Sequence, residues 1–226
     1  MNLEFFNKFG SMLVSGTKVT IIVSLITIII SIIIGSILAM LRTGKTKVIR
    51  YIVSAYVAFV RGTPVLVQIY IVFYGIPLLG IEFPSFNIMG LDSQRVISGV
   101  LALAINSSAY VCEIIRSGIE SLDKGQMEAA RSLGFNHIQS MRMVILPQAI
   151  KNILPALGNE FIGLIKTSSL VSTIGLAELM YIADSIRGVS FMAFVPLFVV
   201  AVIYFVITFI VSLVIRALEQ KMSKSN

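Results

Sequence analysis

Four ionisable side chains stand in apolar surroundings in this sequence. They are Arg61 in FVRGTPVLVQIY, Glu113 in NSSAYVCEIIRSGI, and Glu160 and Lys166 in NEFIGLIKTSSL. At the centre of a membrane-spanning helix such a charge costs at least about 2.5–3.5 kcal/mol unless it is paired or wet. Each therefore marks either a water-filled pathway or a structural pair. The polar residues around them fall at helical spacing. Ala102, Asn106, Tyr110 and Glu113 step by four, four and three along one face. Asn152, Ala156, Asn159, Gly163 and Lys166 step similarly, and Glu160, Gly163 and Thr167 form an adjoining face. Glu160 and Lys166 stand about 120° apart around the axis, so each needs its own partner or water. Asn106, Tyr110, Glu113, Asn159 and Thr167 are expected to line or support a solute cavity, with Arg61, Gly62, Thr63 and Pro64 shaping its wall. The same pattern also suits hydrogen bonds between helices, worth about 0.6 kcal/mol each in membranes.

Covalent chemistry is poorly supplied. The chain has one histidine, His137, and one cysteine, Cys112. That excludes a histidine-activated nucleophile within the apolar segments, a zinc site of nitrogen and sulfur ligands, and a disulfide framework. The fragment AMLRTGKT, residues 39–46, resembles a P-loop, but Ala39 occupies the place of the first glycine and an apolar helix precedes it instead of a strand. If ATP drives this protein, it binds on another chain. Asn106-Ser107-Ser108 matches a glycosylation sequon but lies mid-span.

The elements that must position these residues are membrane helices. The 226 residues are 57% hydrophobic and 13% charged, with a mean hydropathy of +0.94, far from soluble globular composition. Residues 19–41, 62–81, 96–112 and 188–215 carry no charge. About 20 such residues make a helix of about 30 Å, the thickness of a hydrocarbon core. IIVSLITIIISIIIGSILAM lacks the alternation of a barrel strand, which leaves helices as the spanning solution. Five spans are predicted, 16–41, 51–79, 95–119, 150–177 and 190–215, within a single membrane domain covering 1–226. The first is too long for a cleaved signal peptide. Its stripe of Thr20, Ser24, Thr27, Ser31, Gly35 and Ala39 suits close helix packing. The fifth is apolar almost all round and is expected at the periphery.

Twelve of the eighteen basic residues flank the spans on one side: Arg42, Lys45, Lys47, Arg50, Arg116, Lys124, Arg131, Arg142, Lys151, Arg216, Lys221 and Lys224. The positive-inside rule then places the N-terminus outside and the C-terminus in the cytoplasm. The net charge of +7 is topological, and no nucleic-acid partner is expected.

On that cytoplasmic side, region 123–147 contains EAARSLGFNHIQSMRMVILP, Glu128 to Pro147. Gly134 permits a sharp turn after a helix-compatible start. Phe135, Ile138, Met141 and Ile145 then recur at amphipathic spacing, and Pro147 is expected to close that helix before the fourth span. Two short helices meeting at a glycine suit either a groove on a partner or the lipid surface.

Glu128-Ala129-Ala130, Gly134, Val144, Leu146 and Pro147 resemble the EAA signature of ABC-importer membrane subunits, EAA-x3-G-x9-I-x-LP, with Val144 where isoleucine is usual. FVRGTPVLVQ (59–68), SSAYVCEIIRSGI (107–119) and NEFIGLIKTSSL (159–170) are similar to the polar amino acid permease branch of that family. The resemblance covers the three inner spans and the loop, in order. It implies an all-α integral membrane protein with five transmembrane helices, the type I ABC importer permease fold, in the bacterial cytoplasmic membrane. It implies a coupling helix at 128–146 seated in a cytoplasmic ATPase, which assigns Glu128, Ala129, Ala130, Gly134, Leu146 and Pro147 to that contact. The implied partners are a second permease subunit (a homodimer, with a heterodimer as the alternative), two ATPase subunits and an extracytoplasmic solute-binding protein. ATP and magnesium are implied on the ATPase and no cofactor on this chain, which makes or breaks no bond. Thr167 stands where many members have Asp after the Lys, removing an acidic contact suited to a cationic solute and leaving Glu113 and Glu160. The competing functions are an ABC importer permease for another small solute and a stand-alone channel or secondary carrier. The lack of a visible inverted repeat speaks against the latter.

Overall fold

The computed structural model describes residues 3–44, 46–88 and 90–223, so Lys45 and Lys224 of the basic set lie outside it. Among the described residues the regular structure is helical apart from one two-residue ladder. Helix α1 (Leu3–Thr43) is followed by α2 (Lys47–Gly62), α3 (Val65–Leu78) and α4 (Ser93–Glu120). The ladder, Asn87–Ile88 against Leu91–Asp92, precedes α4, and the Asp92 carboxylate caps α4 by accepting from the Gln94 N–H. Then come α5 (Lys124–Ser132), α6 (His137–Ile174), α7 (Leu179–Ser190) and α8 (Val195–Ser223). Helices α1, α4 and α8 are each long and apolar enough to cross a membrane. Two further candidates are bent pairs: α2 meets α3 at 108°, and α6 meets α7 at 49°. The protein is thus an all-helical membrane protein with three to five candidate spans.

The small-residue stripe of α1 faces inward. Thr20, Ser24, Thr27, Ser31 and Ala39 are all buried, while Ile29, Ile33 and Ile37 on the other side are exposed. The small side chains let α1 lie close against α4. A Cβ added to Gly35 would sit 2.6 Å from Val111 and 2.9 Å from the Ser108 carbonyl oxygen. Gly35→Leu is therefore expected to force the pair apart and to cost about 1–3 kcal/mol, the usual range for overpacking. A lowered thermal midpoint of the solubilised protein checks this, and an unchanged midpoint overturns it.

α1 also begins earlier than the apolar pattern predicts. Its first turns belong to a separate cluster in which Phe5, Phe9 and Leu13 pack on Leu179, Ile182 and Ile186 of α7 and Val199 of α8. Charged Glu4 and Lys8 masked that face in a count of hydropathy. The junction of α1, α7 and α8 is closed by Glu178, fully buried. Its carboxylate accepts from the Tyr181 N–H (2.9 Å), the Tyr204 hydroxyl (2.7 Å) and the Thr20 hydroxyl (3.4 Å). The remaining apolar surface of α8, including Phe198, Phe205 and Phe209, is exposed, as a helix apolar on every side requires.

The expected span 51–79 is two helices. Pro64 lacks an N–H and disfavours helix at the residue before it, so Thr63 is extended (φ −115°, ψ 146°) and the chain turns sharply there. In α6 a second expectation is corrected. Pro147 does not end a helix: α6 runs through it from His137 to Ile174. A widened turn over Met141–Ile145 absorbs the missing donor and the ring, so the backbone continues without a break.

Candidate functional site

Helices α3, α4 and α6 form a half-open cavity of about 230 Å³ lined by Val65, Asn106, Tyr110, Glu160, Gly163, Leu164 and Thr167. Its size lies below the usual range of about 300–1,000 Å³ for ligand pockets, which suits a small solute. Asn106 and Tyr110 lie one helical turn apart on α4. Glu160, Gly163 and Thr167 lie on one face of α6, where the absence of a side chain at Gly163 leaves room. A Cβ placed there would meet nothing within 4 Å.

The polar walls are fixed by hydrogen bonds. The Ser107 hydroxyl donates to Glu160 Oε1 at 2.7 Å. Thr167 Oγ1 donates back to the Gly163 carbonyl at 3.0 Å. Asn106 Nδ2 donates to Gln68 Oε1 at 3.0 Å. Gln68 Nε2 in turn donates to the carbonyl oxygens of Val60 (2.8 Å) and Thr63 (3.2 Å) and to Thr63 Oγ1 (2.8 Å). Gln68 thus occupies the backbone acceptors released by the break at Pro64, as a break at membrane depth demands. Sequence reasoning gave Gln68 and Ser107 no role. A glutamine inside VLVQIY was the available signal.

The expected cavity residues divide. Asn106, Tyr110 and Thr167 are on the lining, together with Glu160 and Gly163. Asn159 is exposed and outside the lining, because α6 turns its side chain away from the Glu160 face. Glu113 is also off the lining. Its carboxylate is bonded by Arg42 at the end of α1 and by Arg116 one turn along α4, with Arg61 at 4.0 Å. Thr63 and Pro64 form the break, Gly62 faces open space, and Arg61 lies over the Tyr110 ring at 5.2 Å.

The second expected surface is the hairpin of α5 and the start of α6. Asp123 caps α5 through the Gly125 N–H. Gly134, at φ +90°, closes it, and the Phe135 N–H reaches the Ala130 carbonyl at 3.2 Å. Asn136 and Gln139 then form a reciprocal capping box at the start of α6. Glu128, Ala129 and Gly134 are exposed, whereas Ala130 is buried against its own chain. Leu146 is half-buried and Pro147 exposed. Of the predicted amphipathic face only Ile145 is buried. Ile138 is 75% exposed and lies on the same hairpin as Leu133, 81% exposed.

The family described as "Binding-protein-dependent transport system inner membrane component" matches residues 31–224. The chain belongs to this family. It is a multi-pass permease component of the inner membrane, and the ATPase of such a system is a separate subunit. Partners of both kinds, an ATPase and a binding protein, come with the family. Similar proteins cover the whole permease. The putative glutamine transport system permease protein GlnP of Rickettsia bellii is 37% identical over 223 residues, 97% of this chain and 98% of its own. The probable glutamine ABC transporter permease protein GlnM of Bacillus subtilis is 36% identical over 225 residues, 100% of both chains. The arginine transport system permease protein ArtQ of Bacillus subtilis is 36% identical, again over 100% of both. Among solved structures, an amino acid ABC transporter crystallised with histidines superposes with a TM-score of 0.89 at 42% identity, over 98% of this permease and 99% of that chain.

Proposed function

We propose that the cavity between α3, α4 and α6 is the solute site of this permease, and that the α5–α6 hairpin is the surface through which its ATPase drives it. The chain is the permease subunit of an ABC importer for polar amino acids. The observation that carries the site assignment is the convergence of an amide, a phenol, a carboxylate and a hydroxyl, from Asn106, Tyr110, Glu160 and Thr167, in one small cavity at a broken helix. Relatives named for glutamine and arginine, and a structure named for an amino acid transporter with histidines, support that cargo class. Glu160 is the one carboxylate on the lining and is suited to the solute's ammonium group.

The permease crosses the membrane five times, through α1, the α2–α3 pair, α4, the α6–α7 pair and α8, as one domain. Its N-terminus is outside and its C-terminus cytoplasmic, in keeping with the one-sided basic residues. It works with a second permease subunit (a second copy of itself), two ATPase subunits that hold ATP and magnesium, and an extracytoplasmic solute-binding protein. ATP-driven closure of the ATPases brings the hairpins together, and the spans rock so that the cavity opens outward. Hydrolysis returns it inward.

Uptake by alanine variants tests the site. Asn106→Ala is expected to lower uptake about tenfold or more, because a buried hydrogen-bonded group worth about 1–3 kcal/mol is lost. Asn159→Ala, outside the lining, is expected to transport normally. Wild-type rate and selectivity in Asn106→Ala would place the solute path elsewhere.

A further inference from the structure

The cavity lining holds one carboxylate and no cation. An amino acid brings both charges at neutral pH, so this lining answers only the ammonium group. The missing counterpart sits one ring away. The guanidinium carbon of Arg61 lies 5.2 Å from the centre of the Tyr110 ring, and Tyr110 lines the cavity. Arg61 is also under-used. Its nearest carboxylate, Glu113, is 4.0 Å away, and both oxygens of Glu113 are already bonded, one by Arg42 and one by Arg116. Arg116 uses its other nitrogen on Glu120. The cluster therefore sets three guanidiniums against two carboxylates, and the positive charge left over resides on Arg61. No hydrogen bond joins the Arg61 guanidinium to a described residue, and its side chain is 41% exposed.

The chain break adds a second positive element at the same place. Helix α3 begins at Val65, itself a lining residue, so the N–H groups of its first turn open there without acceptors inside the helix. Lys166 adjoins Thr167 but lines a separate groove with Tyr204 and Phe205.

We propose that Arg61, together with the first turn of α3, binds the α-carboxylate of the transported amino acid. The proposal rests on the cavity reading above and adds the orientation of the solute: ammonium towards Glu160, carboxylate towards the break at Pro64. A planar guanidinium presents a two-pronged edge that matches a carboxylate. Its carbon lies over the Tyr110 ring, and no hydrogen bond to a described residue occupies its nitrogens. Glu113 holds Arg61 at long range in the absence of solute and is the positioning residue of the pair.

The test uses the purified permease–ATPase complex in lipid nanodiscs, without the receptor. Equilibrium binding of L-glutamine, L-arginine and L-histidine is measured, each against its own α-carboxamide. The wild type is expected to prefer the free acid by about tenfold to a hundredfold, the worth of a charge-assisted pair. Arg61→Gln is expected to weaken the acid and spare the amide, bringing the ratio close to one. Arg61→Lys keeps the charge without the fork and is expected to retain an intermediate ratio. It decides the matter alone if the glutamine variant does not assemble. A wild-type ratio in either variant overturns the carboxylate assignment and leaves the cavity standing. Asn106→Ala is expected to weaken acid and amide alike; unchanged binding of both in that variant overturns the cavity itself.

Discussion

Replacing Gly134 with valine is expected to cut uptake about tenfold or more, while the permease remains inserted and ATP hydrolysis continues without transport. Gly134 ends α5 at φ +90°, and a Cβ there would meet nothing within 4 Å. The cost is therefore one of backbone conformation, about 1–3 kcal/mol for a β-branched side chain held in that region. Relief comes from opening the turn, which breaks the bond from the Phe135 N–H to the Ala130 carbonyl and moves the exposed Leu133. In the proposed coupling role, a hairpin of altered shape no longer transmits the movement of the ATPase. Membrane fractionation, ATPase rate and solute uptake measured together check this. Gly134→Asn, whose side chain tolerates left-handed backbone, is expected to retain more uptake than the valine variant. Normal uptake by Gly134→Val removes the coupling role from this turn.

Gln68→Leu is expected to have a comparable effect at the other end of the mechanism. Leucine fits the apolar surroundings of Ile69 and Val72 but supplies none of the polar contacts. The carbonyl of Thr63 and the amide of Asn106 lose their bond to Gln68, and the Val60 carbonyl keeps only the 3.4 Å contact from the Thr63 hydroxyl. Each buried polar group left without one costs about 1–3 kcal/mol, so the break between α2 and α3 is expected to loosen or to rearrange. The thermal midpoint of the solubilised complex should fall by several degrees and uptake should drop below about a tenth of wild type. Gln68→Glu keeps the acceptor for Asn106 and separates that bond from the other three. A leucine variant with a wild-type midpoint and wild-type uptake removes Gln68 from the site.

The helices were legible because hydropathy reports burial in lipid directly. Residues 93–120 and 195–223 needed only a charge-free run to be found, and the stripe on α1 needed only small residues at steps of three and four. The site was legible in part. Spacing put Asn106 and Tyr110 on one face and Glu160, Gly163 and Thr167 on another, and those faces meet. Spacing could not tell how far along α4 the meeting extends. Glu113 continues the stripe yet belongs to Arg42 and Arg116, because the end of α1 closes over that turn. Asn159 lies outside the lining for a simpler reason: one residue is about 100° on a helix, and Glu160 is the neighbour that faces in. Pro147 misled because a proline is read as a stop, while a widened turn lets the backbone pass it. Gln68 and Glu178 also carry bonds made by tertiary structure, from Asn106 and from Thr20 and Tyr204, which no local pattern records.

That passage of the backbone through Pro147 has a mechanical result. Leu146 and Pro147 of the proposed ATPase-facing surface, and Glu160, Gly163 and Thr167 of the proposed solute cavity, belong to one continuous helix, α6. Gly163 stands sixteen residues beyond Pro147, about 24 Å along the axis, so a tilt of about 5° at the foot carries the cavity wall sideways by about 2 Å. A stroke of that size rivals the width of a hydrogen bond, enough to release a solute from one set of contacts without unwinding a single turn.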